Sequence, residues 1–422
     1  MRRAGGPAIL ITLALTNTIA YAMRNALFAV YPDLRDRFDL RDAKLGLLTT
    51  AFLIPHAIAT LPFGWVGDRF DRRRVIALGM LLASVAGAAG AFATDTTTLA
   101  ISRAIVGFGT AAVVPVANSI LGQLYEGPRK ASRMAIFNLG LLFGGIAGFG
   151  VGAFAGFPAV LIVLSVPGAV VALLLLTLPV PAHPKVAIAP AKVDRELFEY
   201  IAGLGRVFAS EAKQLLRIRT LRWMMLSTTA MAFAAGGFTA WLVDFLERDK
   251  GMSEGQATTL LSVSIVGAVA GVVVGGRLAD QLRSRFITGR LWTIALGMTL
   301  AIPSTAACIE LPAGIGLYIA GTLNFFFFSW YHAPMAVSVD DIAPPKSAVA
   351  AQGLVIFTMH LVGTALSSYV VGLVSDYSSL YDAMWVPFGT LILAALSMVA
   401  ATPSFAGDHL RARSGEVAHR SL

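Results

Sequence analysis

The chain has a single cysteine, Cys308, and only 14% of its 422 residues are charged. One cysteine builds neither a disulfide framework nor a cysteine zinc site. The charged fraction lies well below the roughly 25% of an average soluble domain, while 56% of the residues are apolar and the mean hydropathy is +0.73. A water-soluble surface needs more polar residues than that. A cytosolic enzyme, a nucleic-acid binder and a disordered tail protein are therefore excluded. The net charge of +9 does not point to nucleic acid, because the basic residues gather in short clusters between apolar segments, as membrane topology requires. Acids are missing from the middle of those segments. The 24 Asp and Glu fall in loops or at segment ends, with Asp244 the deepest.

A helix needs about 20 apolar residues to cross the hydrocarbon core. Twelve such stretches are present, near 8–30, 45–65, 75–94, 98–124, 134–156, 157–179, 222–246, 256–279, 287–308, 312–339, 348–373 and 383–404. A backbone in lipid has to satisfy its own hydrogen bonds, so the spacing predicts helices. The run from Arg2 and Arg3 to Ala22 mimics a secretory signal peptide, but it continues to Val30, and its removal would leave an odd number of spans. With the amino terminus inside, the inner segments hold 25 of the 33 Lys and Arg and the outer segments six, Arg24 and Arg103 lying within spans. That asymmetry predicts a multi-pass plasma (inner) membrane protein with both termini cytoplasmic.

The expected organisation is a six-helix bundle over 1–179, a cytoplasmic linker over 180–221, a second six-helix bundle over 222–404 and a cytoplasmic tail over 405–422. The linker opens with Pro181, Pro184 and Pro190, which block a helix. It then carries Leu197, Ile201, Leu204, Phe208 and Leu215 at helical spacing, either an amphipathic helix on the membrane surface or a tether packed on the protein. The halves repeat. Gly64-Trp-Val-Gly-Asp68-Arg69-Phe-Asp-Arg72-Arg73-Arg74 follows the second span, and Gly276-Arg-Leu-Ala-Asp280-Gln-Leu-Arg283-Ser-Arg285 follows the eighth. The fold class is thus all-α, with twelve transmembrane helices in two bundles of pseudo-twofold symmetry, the plan of bodies that rock about a central site. Gly64 and Gly276 would admit a neighbouring helix. Asp68 and Asp280 would pair with the other bundle and hold the inner side closed. Arg69, Arg72, Arg73 and Arg283 would anchor to anionic lipid heads. A single such loop would read as a plain positive-inside anchor; the duplication favours gating.

These loops resemble the signature loop of the major facilitator superfamily. Arg103-Ala-Ile-Val-Gly107-Phe-Gly109-Thr-Ala-Ala-Val-Val-Pro115 resembles that superfamily's Arg-x-x-x-Gly-x-Gly motif. The resemblance implies alternating access, a central cavity and no cofactor. Three further segments are similar to the Spinster-like branch, which is associated with lysolipids and sphingoid lipids: Gly237–Ser253, Asp341–Pro345 and His360–Asp376. The chain departs from that branch where it usually shows Asp-Arg in span one, here Met23-Arg24, and an acid after Gly-x-Gly in span four, here Thr110. Both departures remove carboxylates on which proton coupling would rest. Arg24 followed by Tyr31-Pro32 also resembles the organophosphate and anion transporters, whose second arginine in span seven has no counterpart here.

A charge at a helix centre costs about 2.5–3.5 kcal/mol on insertion scales, so Arg24 and Arg103 are conspicuous. Together they read as a cationic patch for a phosphate or carboxylate head group. The structural alternatives are that Arg24 snorkels to the interface and Arg103 bonds backbone carbonyls. His56, His332 and His360 are the titratable groups left for proton coupling, or else satisfied hydrogen-bonders. Phe325 to Phe328 with Trp330 would line a cavity for acyl chains, or face lipid. Gly140, Gly144, Gly148 and Gly152 in span five and Gly267, Gly271 and Gly275 in span eight form stripes for close helix contact; the resemblance implies that those spans face one another. The expected function is secondary transport of an amphipathic or anionic small molecule such as a lysolipid, by one chain carrying both halves. The alternatives are an organic anion, organophosphate or drug transporter and, from another class, a lipid scramblase. The absence of His-Glu-x-x-His and of paired acids within spans argues against a membrane-embedded enzyme.

Overall fold

The computed structural model describes residues 6–125, 129–180, 203, 210, 212–344 and 347–414. They divide into two compact units, Met1–Glu196 and Leu197–Leu422. Most of the expected linker, its amphipathic helix included, lies outside the described residues, as does 415–422. In the first unit α1 (Gly6–Ala29) is followed by the short α2 (Tyr31–Phe38), then α3 (Asp42–Arg69), α4 (Arg72–Gly90), α5 (Thr96–Thr110), α6 (Val113–Leu124), α7 (Arg129–Ala155) and α8 (Ala159–Thr177). The second unit holds α9 (Arg219–Arg248), α10 (Glu254–Arg285), α11 (Gly289–Glu310), α12 (Ile315–Phe328), α13 (His332–Ile342), α14 (Ala348–Thr358), α15 (Ala365–Tyr377), α16 (Leu380–Ala383) and α17 (Trp385–Ser414). Among the described residues, eleven helical stretches are long and apolar enough to cross a membrane. The tenth expected span, 312–339, is the one missing from that set: α12 passes through a 3₁₀ turn at Ser329–Tyr331 into α13.

The fourth span of each unit breaks, and the cause is the same in both. Proline has no N–H and its ring clashes with the carbonyl four residues earlier. Pro115 stands in the first turn of α6, four residues beyond Ala111, where α5 stops. Pro334 stands early in α13, four residues beyond Trp330, in the 3₁₀ turn. The eleventh span is interrupted differently, by a π-helical segment at Met359–Thr364. Within it Gly363 is pressed on α9, where a Cβ would come 2.7 Å from the Thr229 carbonyl oxygen. Helix starts are fixed by side-chain caps. Asp71 accepts the Arg73 amide at the start of α4, and Asp95 accepts the Thr98 amide at the start of α5. Gly251-Met-Ser253-Glu-Gly255 has the spacing of a serine nucleophile elbow. Its serine is instead the cap of α10, in a capping box with Gln256.

The glycine stripes serve contacts other than the expected one. Each lies against a helix of its own unit. Gly140, Gly144, Gly148 and Gly152 of α7 meet Asn17, Thr18, Tyr21, Ala22, Ala26 and Ala29 of α1; a Cβ on Gly148 would come 2.7 Å from the Ala22 carbonyl oxygen. Gly267 and Gly271 of α10 meet the backbone at Thr322 and Phe326 of α12, and Gly275 meets Trp330. Four glycines on one face of a helix remove the side chains that hold neighbours apart, so the nearest groove takes the stripe, and that groove is local.

The last helix corrects the expected tail. α17 continues to Ser414, so the residues from 405 onward begin as helix. Asp408 and His409 are buried there. The Asp408 carboxylate accepts the Thr220 amide at 3.0 Å and the Thr220 hydroxyl at 2.7 Å, capping the first turn of α9. A carboxylate at a helix N-terminus also meets the positive end of the dipole. His409 Nδ1 lies 2.8 Å from the Asp341 carbonyl oxygen, which ties α17 to α13.

Gly144→Leu should lower stability by about 1–3 kcal/mol through overpacking against α1, read as a fall in melting temperature in detergent; Gly150→Leu, whose Cβ meets nothing within 4 Å, should leave it unchanged. Asp408→Ala should cost about 1 kcal/mol through loss of the α9 cap, measured in the same assay, and truncation after Phe405 should cost at least as much.

Candidate functional site

Three helices of the first unit converge on a charged cluster. Its frame is the Arg-x-x-x-Gly-x-Gly run of α5. Gly107 lies so close to α3 that a Cβ would collide with the Phe52 carbonyl, and Gly109 meets the Gly79 carbonyl of α4 in the same way. This close approach lets the Arg103 side chain cross to α1. Arg103 is 2% exposed. Its Nη1 donates to the Met23 carbonyl at 2.9 Å and its Nη2 to the Arg24 carbonyl at 3.3 Å. Its guanidinium lies 4.9 Å from the Phe52 ring centroid, a cation–π distance. Of its two expected roles, the geometry is that of the backbone hydrogen-bonder, and it fixes the position of the residue beside it.

That residue is Arg24. It makes no hydrogen bond or ion pair with any described residue. Its Nε is buried without a partner, and its one described contact is the Tyr21 ring, 5.8 Å from the guanidinium carbon. The residue as a whole is half-buried, and a polar atom sealed from solvent without a hydrogen bond is costly. The acids give it no relief. Those of the described residues fall in loops or within about two turns of a helix end, where Asp244 pairs with Arg248 at 3.3 Å and Asp42 with Arg35 at 2.7 Å. Arg24 is thus a cation held in place with no anion supplied by the described residues.

His56 of α3 completes the cluster. Its ring stacks on Phe52, with centroids 5.6 Å apart and planes at 15°, so Phe52 lies between Arg103 and His56. Nδ1 is 3.1 Å from the Gly107 carbonyl oxygen and 3.2 Å from Thr110 Oγ1. Thr110, at the place where the resemblance suggests an acid, is therefore a partner of His56. Phe52 had no motif to mark it; its backbone contact with Gly107 depends on helix packing.

The other expected residues lie elsewhere. In the second unit Trp330 is buried as a wedge. Its side chain would meet a Cβ on Gly275 of α10 or on Gly297 of α11, and it makes edge contacts with Phe326 and Phe327. Phe325 is half-buried on α12. His332 is exposed, with its ring 4.2 Å from Tyr331. His360 is half-buried in the π-helical segment.

In the repeated loops, the side chains of Gly64, Asp68 and Arg69 lie outside the described residues. Arg72 and Arg73 are held by protein rather than left for lipid. Arg72 Nη1 donates to Gln123 at 2.8 Å; Arg73 pairs with Asp71 at 2.9 Å and donates to the Leu178 carbonyl. The Arg73 hydrogen bond holds the Asp71 carboxyl below the usual range. Arg74, 75% exposed, lies 3.8 Å from the Asp71 carboxylate. In the second loop Asp280 is exposed and lies 3.9 Å from Arg290, whose closer partner is Asp341 at 2.7 Å. Gly275 makes a close approach there, and Arg283 keeps a buried Nε without a partner. The arrangement repeats. The arginine opening the third span reaches the last turn of the fourth: Arg72 to Gln123, Arg290 to Asp341. Sequence reading missed Arg290 and Asp341 as a pair, although their likeness to Arg72 and Gln123 in place was available.

Known proteins are similar to this chain. Residues 13–368 match the family model described as Major Facilitator Superfamily. The Danio rerio protein named Protein spinster homolog 3 is 26% identical over 395 residues, covering 88% of this chain and 77% of the relative. The Sphingosine-1-phosphate transporter SPNS2 of Danio rerio is 24% identical over 395 residues, with 86% and 75% covered. Among solved structures, a bacterial homolog of the human lysosomal transporter Spinster, inward-facing and unoccupied, matches at a TM-score of 0.80 and 19% identity, covering 97% of this chain and 99% of that one. The D-xylose-proton symporter matches at 0.71 and 16% identity, covering 94% and 98%. This twelve-helix chain is a multi-pass membrane transporter that resembles the Spinster-like proteins, and it belongs to the Major Facilitator Superfamily.

Proposed function

We propose that the protein is a secondary transporter that moves an amphipathic or anionic small molecule of lysolipid type by alternating access, with the anionic group received at Arg24. The observation that carries this reading is the Arg24 side chain: a guanidinium in a membrane span, its Nε buried, with no carboxylate or carbonyl partner among the described residues. Guanidinium binds phosphate and carboxylate through paired charge-assisted hydrogen bonds, and an incoming anion would supply the charge that the helices withhold. Arg103 positions Arg24 through the α1 backbone and is not itself open to the ligand. A relative whose name assigns it sphingosine-1-phosphate supports a head group of this chemistry. Phe325 and Trp330 are proposed for the apolar part of the ligand, Phe325 as a contact and Trp330 as the wedge behind it. Gly64, Asp68, Arg69, Arg72, Arg73, Gly276, Asp280 and Arg283 are proposed for gating. We place both termini in the cytoplasm of the inner membrane from the Lys and Arg asymmetry.

A second reading, an organic anion or organophosphate transporter, rests on the same arginine. It differs only in whether the ligand carries a chain. Thermal stabilisation of the purified protein by lysolipids against short-chain organic anions separates the two.

Reconstituted in liposomes, the protein should give saturable counterflow of a lysophospholipid. Arg24→Gln should reduce it by roughly tenfold or more, the worth of a hydrogen bond to a charged group. Unchanged kinetics would remove Arg24 from the binding site, and unsaturable movement of bulk lipid would identify a scramblase. The titratable groups proposed for proton coupling are His56, His332 and His360. Uptake into vesicles should then respond to an imposed pH gradient, and an identical rate with and without the gradient would eliminate all three.

A further inference from the structure

The first and last helices of the second unit meet at one end of the spans with a surplus of positive charge. Over 212–227 and 385–414 the Lys and Arg are Lys213, Arg217, Arg219, Arg222, Arg411 and Arg413, against a single acid, Asp408. That acid is buried in the seam. Its Oδ2 accepts the Thr220 amide and hydroxyl of α9, and its Oδ1 accepts Arg411 Nη1 at 3.2 Å. Thr220 Oγ1 also lies 2.8 Å from Ser404 Oγ of α17. These bonds bring the Arg411 guanidinium to the first turn of α9, which holds Arg219 and Arg222. The side chains of Arg217, Arg219 and Arg222 are exposed and make no hydrogen bond or ion pair with any described residue. Cations are disfavoured at a helix N-terminus, the positive end of the dipole, and α9 has no acid in its first turn. Folding of α9 gives no reason for them to be there. Arg219, Arg222 and Leu226, three and four residues apart, share one exposed face of α9. On α17 Leu396, Val399, Pro403 and Leu410 lie along one exposed face, spaced three, four and seven residues apart, and Arg411 follows it. On both helices, exposed apolar residues run up to guanidinium groups at the same end.

We infer that the seam between α9 and α17 binds an anionic phospholipid, with its phosphate at Arg219, Arg222 and Arg411 and its acyl chains along Leu226 and the α17 stripe. Guanidinium groups take a phosphate through paired charge-assisted hydrogen bonds. A cluster of Lys and Arg beside a membrane span draws anionic lipid at the bilayer surface. The surface also selects among anions. A free phosphate would use only its basic part, whereas a lipid uses the apolar stripe as well. A zwitterionic lipid brings a cation of its own into a region that already has too many. Asp408 cannot neutralise the seam, because both its oxygens are engaged by Thr220 and Arg411. The lipid phosphate supplies the missing charge at the joint between the first and last helices of the unit, and so should stabilise that joint. On the orientation proposed above, the lipid belongs to the cytoplasmic leaflet. Arg72 and Arg73, the arginines first expected to meet lipid heads, are held by protein; the exposed cations of this seam take that role.

The test adds phosphatidylglycerol, phosphatidylcholine or glycerol phosphate to the full-length protein in detergent and reads the rise in melting temperature. The wild type should be stabilised by phosphatidylglycerol and not by the other two, and the effect should shrink as salt is raised. Arg219→Gln/Arg222→Gln should bind phosphatidylglycerol roughly thirtyfold more weakly, at the usual worth of a basic residue near an anionic surface. Arg277→Gln/Arg285→Gln removes the same charge from exposed positions near the end of α10 and should bind as the wild type does. Equal stabilisation of the wild type by phosphatidylcholine overturns the inference, whatever the variants do. Full stabilisation by glycerol phosphate would make this a site for a free anion and overturns it too. So does wild-type affinity in Arg219→Gln/Arg222→Gln, and so does an equal loss in Arg277→Gln/Arg285→Gln, which would show a diffuse effect of net charge.

Discussion

Arg103 has to bury a positive charge within a membrane span, and it does so by donating to the carbonyls of Met23 and Arg24. The organisation of the first unit around the site depends on this interaction. The guanidinium can reach α1 only because Gly107 brings α5 onto the backbone of α3, and Gly109 brings it onto α4. Because the carbonyls it takes are those of Met23 and Arg24, the next charge along is held in register beside it. One arginine is thereby tied to backbone carbonyls through both terminal nitrogens, its Nε left without a partner, and the other is presented. The same guanidinium covers Phe52, and Phe52 covers His56. A single buried charge thus orders a cluster drawn from three helices.

The two units use one scheme with its parts exchanged. In the first, a glycine on the fourth span, Gly107, meets the backbone of a phenylalanine on the second, Phe52. In the second, the glycine is on the second span, Gly271, and the phenylalanine on the fourth, Phe326. Either way one small residue allows backbones to touch, which is how helices associate where lipid offers no hydrophobic driving force. The fourth span breaks four residues before a proline in both. The end of each fourth span is tied to the start of the third, through a neutral amide at Gln123 and through a carboxylate at Asp341. What differs is the side chain lodged near the break. Thr110 and Arg103 keep polar groups there in the first unit, while Trp330 fills the gap against Gly275 and Gly297 in the second.

The spans, the two halves and the family motifs were legible because each rests on residue type at a fixed spacing. Apolar length predicts a helix in lipid, and proline marks where it fails, although Pro115 and Pro334 were passed over as break points. The glycine stripes were legible as contact faces but were assigned to the wrong partners. A stripe states that some helix lies close, and carries no information about which one. The loop arginines were read as anchors because a cluster of charge next to an apolar run suggests lipid heads. Arg72 and Arg73 found amide, carboxylate and carbonyl partners within the unit, where geometry fixes them better than lipid does.

The sequence alone determined that the chain crosses the membrane many times, that its halves repeat, and that two arginines and three histidines stand inside spans without acids near them. Hydropathy and charge, which depend on composition, suffice for that. Only the tertiary structure decided that Arg103 reaches the α1 carbonyls and that Arg24 has no hydrogen-bond partner among the described residues. Arg103 finds its acceptor 80 residues away in the chain. That acceptor is a backbone carbonyl, a group every residue carries, so no side chain in the sequence could have marked it.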